Sequence, residues 1–346
     1  AMSKKNILLK IFIPIVIGLG VIIVMFCDEY KPGTWSQINF TPTLILGIVL
    51  AWVFMVGRDF GLMWRFRIMT DRRLTWWQAL RVTMMCEFAS AMTPSSVGGS
   101  AVGMIFLNRE GVEMGRATTL MLSTIFLDEL LFVIICPIAL FLFPIDELFR
   151  NFNMWGLNLQ WLCWIIYGAI ALWTLLLYWG IFVKPQVIRN IIVSVFRWRI
   201  LRRWLDKITI VADNIVKTSS DIGVKPLNWW IKAFCATITS WMSRFMVVNA
   251  LLLAFTPLGN QILILCRQFV LWLVLMVCPT PGGSGVSEEL FINYYSDVFS
   301  SNIVDALSVA IIIALFWRII TYYVYLLVGI FMLPSFLSAT RKNNNN

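Results

Sequence analysis

The sequence predicts an all-α polytopic membrane protein: six transmembrane helices plus two Pro/Gly-broken re-entrant hairpins, arranged as an inverted-topology repeat. Three observations predict it. Of 346 residues, 60% are hydrophobic and 13% charged, with a mean hydropathy of +0.81; a soluble domain is nearer about half apolar and a quarter charged. Apolar runs of roughly 20 residues, enough to cross a bilayer as a helix, recur along the chain. Two further apolar stretches are interrupted near their middles by Pro and Gly.

The uninterrupted runs cover about 7–27, 41–57, 117–143, 160–183, 229–256 and 303–333. The first follows Lys4 and Lys5 as a signal sequence would. It lacks a small-residue cleavage site and leads into Asp28-Glu29-Tyr30, so it reads as a retained span. Ala1-Met2 reads as an expression scar and 343–346 as a disordered tail. The interrupted stretches, 78–107 and 262–286, contain Thr93-Pro94-Ser95-Ser96-Val97-Gly98-Gly99 and Pro279-Thr280-Pro281-Gly282-Gly283-Ser284-Gly285. Neither half of either stretch is long enough to cross alone. Pro removes a backbone donor and Gly favours non-helical geometry, so both read as broken helices or re-entrant hairpins.

Basic residues set the orientation. With the N-terminus in the cytoplasm and only the six full spans crossing, inside segments carry 23 Lys and Arg, and outside loops carry only Lys31 and Arg150. Both termini are then cytoplasmic. The net charge of +10 is mostly this cytoplasmic face, so no nucleic-acid partner is expected. In 186–218, Val187, Ile188, Ile191, Val195, Leu201, Leu205 and Ile208 recur at helical spacing among Arg197, Arg199, Arg202, Arg203 and Lys207. That pattern predicts a basic amphipathic helix lying on anionic lipids at the inner interface.

This layout is internally symmetric. Residues 7–143 run span, span, broken hairpin, span from inside to outside, and 159–333 repeat that order from outside to inside, all within one domain of 1–346. The two breaks agree locally, Thr93-Pro94 with Gly98-Gly99-Ser100 against Thr280-Pro281-Gly282-Gly283-Ser284. Inverted repeats whose broken helices meet near the midplane are a plan of secondary transporters.

Charges inside apolar segments are functional candidates, usually facing a cavity or a partner. They are Glu87, Asp128, Glu129, Arg244, Arg267, Glu288, Glu289, Asp305 and Arg318. Glu87 lies less than two helical turns before Thr93, and Glu288 and Glu289 follow the second break. Arg318 sits midway along the last run, flanked by Phe316, Trp317 and Ile319. Arg58 and Asp59 fall at the cytoplasmic end of the second run, where they can snorkel to the interface. Trp76, Trp77, Trp155, Trp161, Trp229 and Trp230 mark interfaces.

Enzyme chemistry finds little to use. The absence of His excludes Ser–His and Cys–His couples and His-ligated metal. Seven Cys show no C-x-x-C spacing and read as buried membrane thiols. Gly282-Gly283-Ser284-Gly285 misses the last glycine of G-x-S-x-G, which is Val286 here, and neither a P-loop nor a dinucleotide fingerprint occurs. No cofactor, metal or catalytic residue is expected.

Several of these residues carry a family resemblance. Glu87, Thr93-Pro94, Gly98-Gly99 and Leu107-Asn108-Arg109-Glu110-Gly111 are followed by Pro281-Gly282-Gly283-Ser284-Gly285 with Glu288, then Arg318, Tyr322-Tyr323 and Gly329. In order and spacing over 7–333 they resemble the transmembrane region of bacterial lysylphosphatidylglycerol synthases and the stand-alone flippase-like membrane proteins related to it. In two-part members this region is held to translocate aminoacylated phosphatidylglycerol made by a cytosolic domain. The chain stops soon after its last run, so synthase activity is not implied.

The resemblance implies a bacterial inner-membrane protein that moves a phospholipid or other polar or anionic lipid between leaflets. The expected site is a central cavity lined by the hairpin tips, with Thr93, Pro94, Thr280, Pro281 and Tyr322 around it. Gly98, Gly99, Gly282 and Gly283 permit close backbone approach, and Arg318 and Arg267 attract an anionic group. Glu87 and Glu288 are counter-charges or proton acceptors, with Asp128, Glu129, Glu289 and Arg244 as further charge or proton candidates. The competing readings are a secondary transporter of a small polar solute and a membrane-embedded lipid transferase.

Overall fold

The computed structural model describes residues 41–93, 97–149, 153–154, 157–197, 205–255, 261–276, 278, 283, 286–298, 306–329 and 331–332. The expected first span over 7–27, Pro94, Thr280, Pro281, Gly282, Asp305 and the tail 343–346 lie outside them.

Among the described residues the fold is helical, apart from a two-residue antiparallel pair, Asn153–Met154 with Leu157–Asn158. Helix α1 (Pro42–Met69) starts at Thr41, whose hydroxyl accepts the Leu44 amide. A reciprocal Thr75–Gln78 capping box opens α2 (Trp76–Met92). Then come α3 (Val97–Arg109), α4 (Met114–Leu142), the short α5 (Ile145–Phe149) and α6 (Leu159–Tyr178), which ends in a π turn, Trp179–Val183. Helices α7 (Pro185–Phe196), α8 (Leu205–Gly223), α9 (Leu227–Leu252), α10 (Gln261–Met276) and α11 (Val286–Tyr295) follow. The last, α12 (Ala306–Arg318), widens into a π turn over Ile319–Tyr323 and stays helical to Gly329.

Among the described residues, four segments are long and apolar enough to cross a membrane: Pro42–Met69, Met114–Leu142, Leu159–Val183 and Val309–Gly329. The chain is a multi-pass membrane protein. Helix α9 is as long but less apolar, because it carries Lys232 and Arg244.

Two expectations change. The second span was expected to end at residue 57, yet α1 continues for three more turns through Arg58, Asp59 and Arg65. Arg58 and Arg65 are buried, so they face the protein interior instead of snorkelling. The basic stretch 186–218 was expected as one helix, and the described parts form two, α7 and α8. Arg189 on α7 reaches Asp213 on α8 at 2.5 Å, and Ile191, Val195 and Ile210 stay exposed beside them.

Both interrupted stretches fold back on themselves. Gly99 of α3 sits against Ser90 and Cys86 of α2, and Arg81 grips Glu110 with two hydrogen bonds of 2.9 and 2.8 Å at the open end. In the second stretch Gly283 lies against Leu275, and Arg267 of α10 grips Asp297 with bonds of 2.9 and 3.0 Å. Bidentate Arg–carboxylate clasps fix orientation as well as supplying energy. The first clasp lies beside the start of α4. Beyond the far end of α4, Arg267 also binds the Glu147 carbonyl on α5 at 3.0 and 2.8 Å. The two hairpins therefore open at opposite ends of α4.

The end of α4 that adjoins the first clasp is stitched by charge. Asp71 sits in the sharp α1–α2 turn, where it and Arg72 adopt left-handed φ of 52° and 60°. It binds Arg116 and Lys225, each at 2.8 Å. Burial alone would push the Asp71 carboxyl up, but its bonds and charge contacts with Lys225 and Arg116 outweigh that and hold it below its usual range.

A seam between α1 and α9 brings the interior charges together. Gly47, Gly57 and Gly61 of α1 face Ala250, Ser243 and Ser240 of α9 in antiparallel order. An added Cβ at Gly61 would come within 2.7 Å of the Ser240 amide nitrogen, and one at Gly47 would strike the Ala250 carbonyl. Small residues let membrane helices approach at backbone distance. A Gly61→Leu substitution should lower the thermal unfolding temperature in detergent, overpacking costing about 1–3 kcal/mol or more. Gly168→Leu, where an added Cβ meets nothing within 4 Å, should leave it unchanged.

Candidate functional site

A cavity of about 320 Å³ lies where α1, both hairpins, α4, α9 and α12 converge. Ser90, Ala91, Gly99 and Ser100 reach it from the tip of the first hairpin, and Leu275, Met276 and Gly283 from the second. Gly283 holds a φ of +70°, the left-handed conformation that glycine adopts without strain, at a buried bend against Leu275.

Among the described residues four arginines line the cavity, and each is held differently. Arg58 bonds Asp59 at 3.0 Å and pairs with Glu87 of the first hairpin. It also lies over the Tyr325 ring at 5.1 Å, while the Tyr325 hydroxyl donates to Asp59 at 2.8 Å. Arg65, two turns further along α1, bonds Asp128 at 2.5 Å and Thr237 at 3.2 Å. The Trp241 indole N–H donates to the same Asp128 oxygen at 2.7 Å.

Arg318 meets Glu288 of the second hairpin at 2.7 Å and stacks over Tyr322 at 4.0 Å, both charges being buried. Ser287 donates to the other Glu288 oxygen at 2.7 Å, and Tyr322 donates to the Ala91 carbonyl at the first hairpin's tip at 3.1 Å. Arg318 stands where α12 widens into its π turn, a distortion frequent at functional sites.

Arg244 differs from the other three. Its guanidinium lies 4.1 Å from the centre of the Trp272 ring and 5.8 Å from that of Trp241. Among the described residues no carboxylate comes within ion-pair distance of it. Aromatic faces attract a cation but leave its N–H groups available. Glu129 is its counterpart in the same cavity, with a buried carboxyl oxygen that has no hydrogen-bond partner among the described residues. Buried Arg65 Nε, Thr83 Oγ1 and Trp272 Nε1 are likewise unmatched, on residues that line the cavity.

The transmembrane region of lysylphosphatidylglycerol synthase, as a family, matches residues 11–329. This chain belongs to that family. It is also similar to a UPF0104 membrane protein of Archaeoglobus fulgidus, with 25% identity over 330 residues, covering 92% of this chain and 94% of the relative. No solved structure matches it.

Within the family's matched region, the structure gathers Glu87, Gly99, Asp128, Glu129, Arg244, Gly283, Arg318 and Tyr322 around the cavity, with Glu288 behind Arg318. Gly98 lies in the first turn of α3 beside them. Three expected residues stand apart. Arg267 is spent on the clasp at the open end of the second hairpin, Glu289 is exposed, and the Thr93 hydroxyl caps α2 by donating to the Ala89 carbonyl at 2.8 Å.

Sequence reasoning missed Arg65, Trp241, Trp272 and Tyr325, and assigned Arg58 and Asp59 to the interface. The available signal was the seven-residue spacing of Arg58 and Arg65, which places both on one face of a helix.

Removing one member of a buried ion pair strands the other, at about 3–5 kcal/mol, whereas replacing both by apolar residues is often close to neutral. Arg318→Ala should therefore lower the unfolding temperature strongly, and Arg318→Met with Glu288→Leu should restore most of the loss. Arg244→Gln, which breaks no ion pair, should shift it least.

Proposed function

We propose that this member of the family translocates a polar or anionic lipid, or a lipid-linked headgroup, between leaflets of the cytoplasmic membrane through the central cavity. Arg244 carries this reading: it is a guanidinium in an interior cavity, held by aromatic faces, with no carboxylate within ion-pair distance among the described residues. Such a group is suited to a phosphate, which accepts charge-assisted hydrogen bonds from arginine. The family relationship supports a role in lipid metabolism or transport.

In this reading the headgroup phosphate first meets Arg244. It then competes with Glu87 for Arg58 and with Glu288 for Arg318, so each step exchanges one anionic partner for another and no arginine is stranded. The Glu87 and Glu288 pairs each tie a transmembrane helix to a different hairpin. Exchange at one pair loosens one hairpin while the other stays fastened, which is the logic of alternating access. Clasps at opposite ends of α4 support hairpins that re-enter from opposite faces, within six spans related as an inverted repeat. The Lys- and Arg-rich end of α4, near Arg116 and Lys225, is then cytoplasmic.

The test uses proteoliposomes containing phospholipids with a fluorophore on the acyl chain, bleached from outside by an impermeant reductant. The parent should expose inner-leaflet lipid, and Arg244→Gln, folded by its unfolding temperature, should slow this about tenfold, the loss of one charge-assisted contact. Equal rates would contradict the reading. Uptake of a water-soluble glycerol phosphate without lipid movement would favour the solute-transporter alternative instead.

A further inference from the structure

We infer that the cavity opens sideways into the bilayer through a portal between α4 and α6, with Trp173 as its gate and Glu129 as the first polar group behind it. This rests on the lipid reading above and specifies its ligand: an amphiphile whose headgroup enters past Trp173 while its hydrocarbon stays in the membrane.

Trp173 is the exposed member of the cavity's lining, at 48% accessible, where the other described lining residues are buried or half-buried. Its neighbours Leu172, Leu175 and Leu176 are exposed on the same outward surface of α6. One indole therefore borders both the cavity and the lipid-facing surface.

Contacts between α4 and α6 fix what lies opposite. The Tyr167 hydroxyl donates to the Val133 carbonyl at 3.2 Å, and the Tyr178 ring lies tilted by 35° against Phe126, 6.1 Å between ring centres. Because the helices run antiparallel, these two contacts bracket Trp173 and bring it level with Glu129. Ile125, one turn away on α4, lines the cavity beside it.

Tryptophan favours membrane interfaces, and Trp161, Trp164 and Trp179 sit near the ends of the apolar segment Leu159–Val183 as that preference expects. Trp173 lies near its middle. There an indole has a different use. The Glu129 oxygen that finds no partner among the described residues would be costly against hydrocarbon, and a large amphipathic ring separates the two. Rotation of one side chain then joins cavity and bilayer without moving a helix.

The experiment uses proteoliposomes containing two phospholipid probes, one with a photoactivatable diazirine on its headgroup and one with it on its acyl chain, with adducts mapped by mass spectrometry. Headgroup-probe adducts are expected at Glu129 and Ile125 in the parent, and they should fall about tenfold in Arg244→Gln, where the headgroup loses one charge-assisted contact. Acyl-probe adducts at Leu176, on the open lipid face, should be the same in both. Trp173→Ala should increase Glu129 labelling and change the translocation rate, with Leu176→Ala altering neither. If the parent moves lipid but Glu129 stays unlabelled and Trp173→Ala behaves as Leu176→Ala does, the portal is wrong and the lipid reading stands. If the parent moves no lipid, the lipid reading fails and the portal with it.

Discussion

The ion pair between Arg58 and Glu87 joins α1 to the first hairpin, and the pair between Arg318 and Glu288 joins α12 to the second. A charge in the membrane interior must find a partner or a water-filled space, because hydrocarbon offers it neither. Here that demand is met mostly across elements distant in sequence, so satisfying it also fixes which helices stand side by side. Arg65 adds a third link, from α1 to Asp128 on α4 and Thr237 on α9. The close glycine seam between α1 and α9 makes these links reachable by holding Arg58, Arg65 and Arg244 around one space. What remains after the pairing is one guanidinium on tryptophan faces and one carboxyl oxygen without a partner among the described residues. Arg58, Arg65, Glu87, Asp128 and Arg318, by contrast, each belong to an ion pair, and the proposed headgroup site is what that pairing leaves over.

The hairpins extend the same logic to the backbone. Irregular backbone at membrane depth is tolerated where protein buries it or where it borders a polar cavity. Of the described tip residues that border this cavity, Ser90, Ala91, Gly99 and Ser100 are helical and Gly283 lies in a turn. Each hairpin is closed at its open end by a bidentate arginine–carboxylate clasp, Arg81 with Glu110 and Arg267 with Asp297. In both, the acid follows the Thr-Pro proline by sixteen residues, and the arginine precedes the threonine by twelve or thirteen. The two clasps therefore sit at similar spacings from the two breaks. They also leave the ion pairs near the tips as the part free to exchange.

Much of this was legible in the sequence, for identifiable reasons. Pro and Gly interrupting apolar runs marked the breaks between α2 and α3 and between α10 and α11, since few residue types disturb a helix so strongly. Charges within apolar runs marked Glu87, Asp128, Glu129, Arg244, Glu288 and Arg318, because such residues are seldom placed there without a use. The errors share one cause: hydropathy treats every charge as if it faced water. It ended α1 at Gly57, although Glu87, Asp59 and Asp128 compensate the arginines that follow. It also placed Arg267 in the pathway, when a carbonyl of α5 and Asp297 satisfy it at the other end of its hairpin. Trp241 and Trp272 escaped notice because tryptophan reads as an interface marker, and only the packing of α9 on α10 turns their faces toward Arg244.

The central claim is that a lipid phosphate is bound by Arg244, which has no carboxylate within ion-pair distance among the described residues. Rotational-echo double-resonance NMR on protein with nitrogen-15 arginine, reconstituted in phospholipid, reports guanidinium-to-phosphorus proximity directly. The account predicts dephasing of a guanidinium signal that disappears in Arg244→Gln while the signals of surface arginines persist. Dephasing that is identical in parent and variant would contradict it.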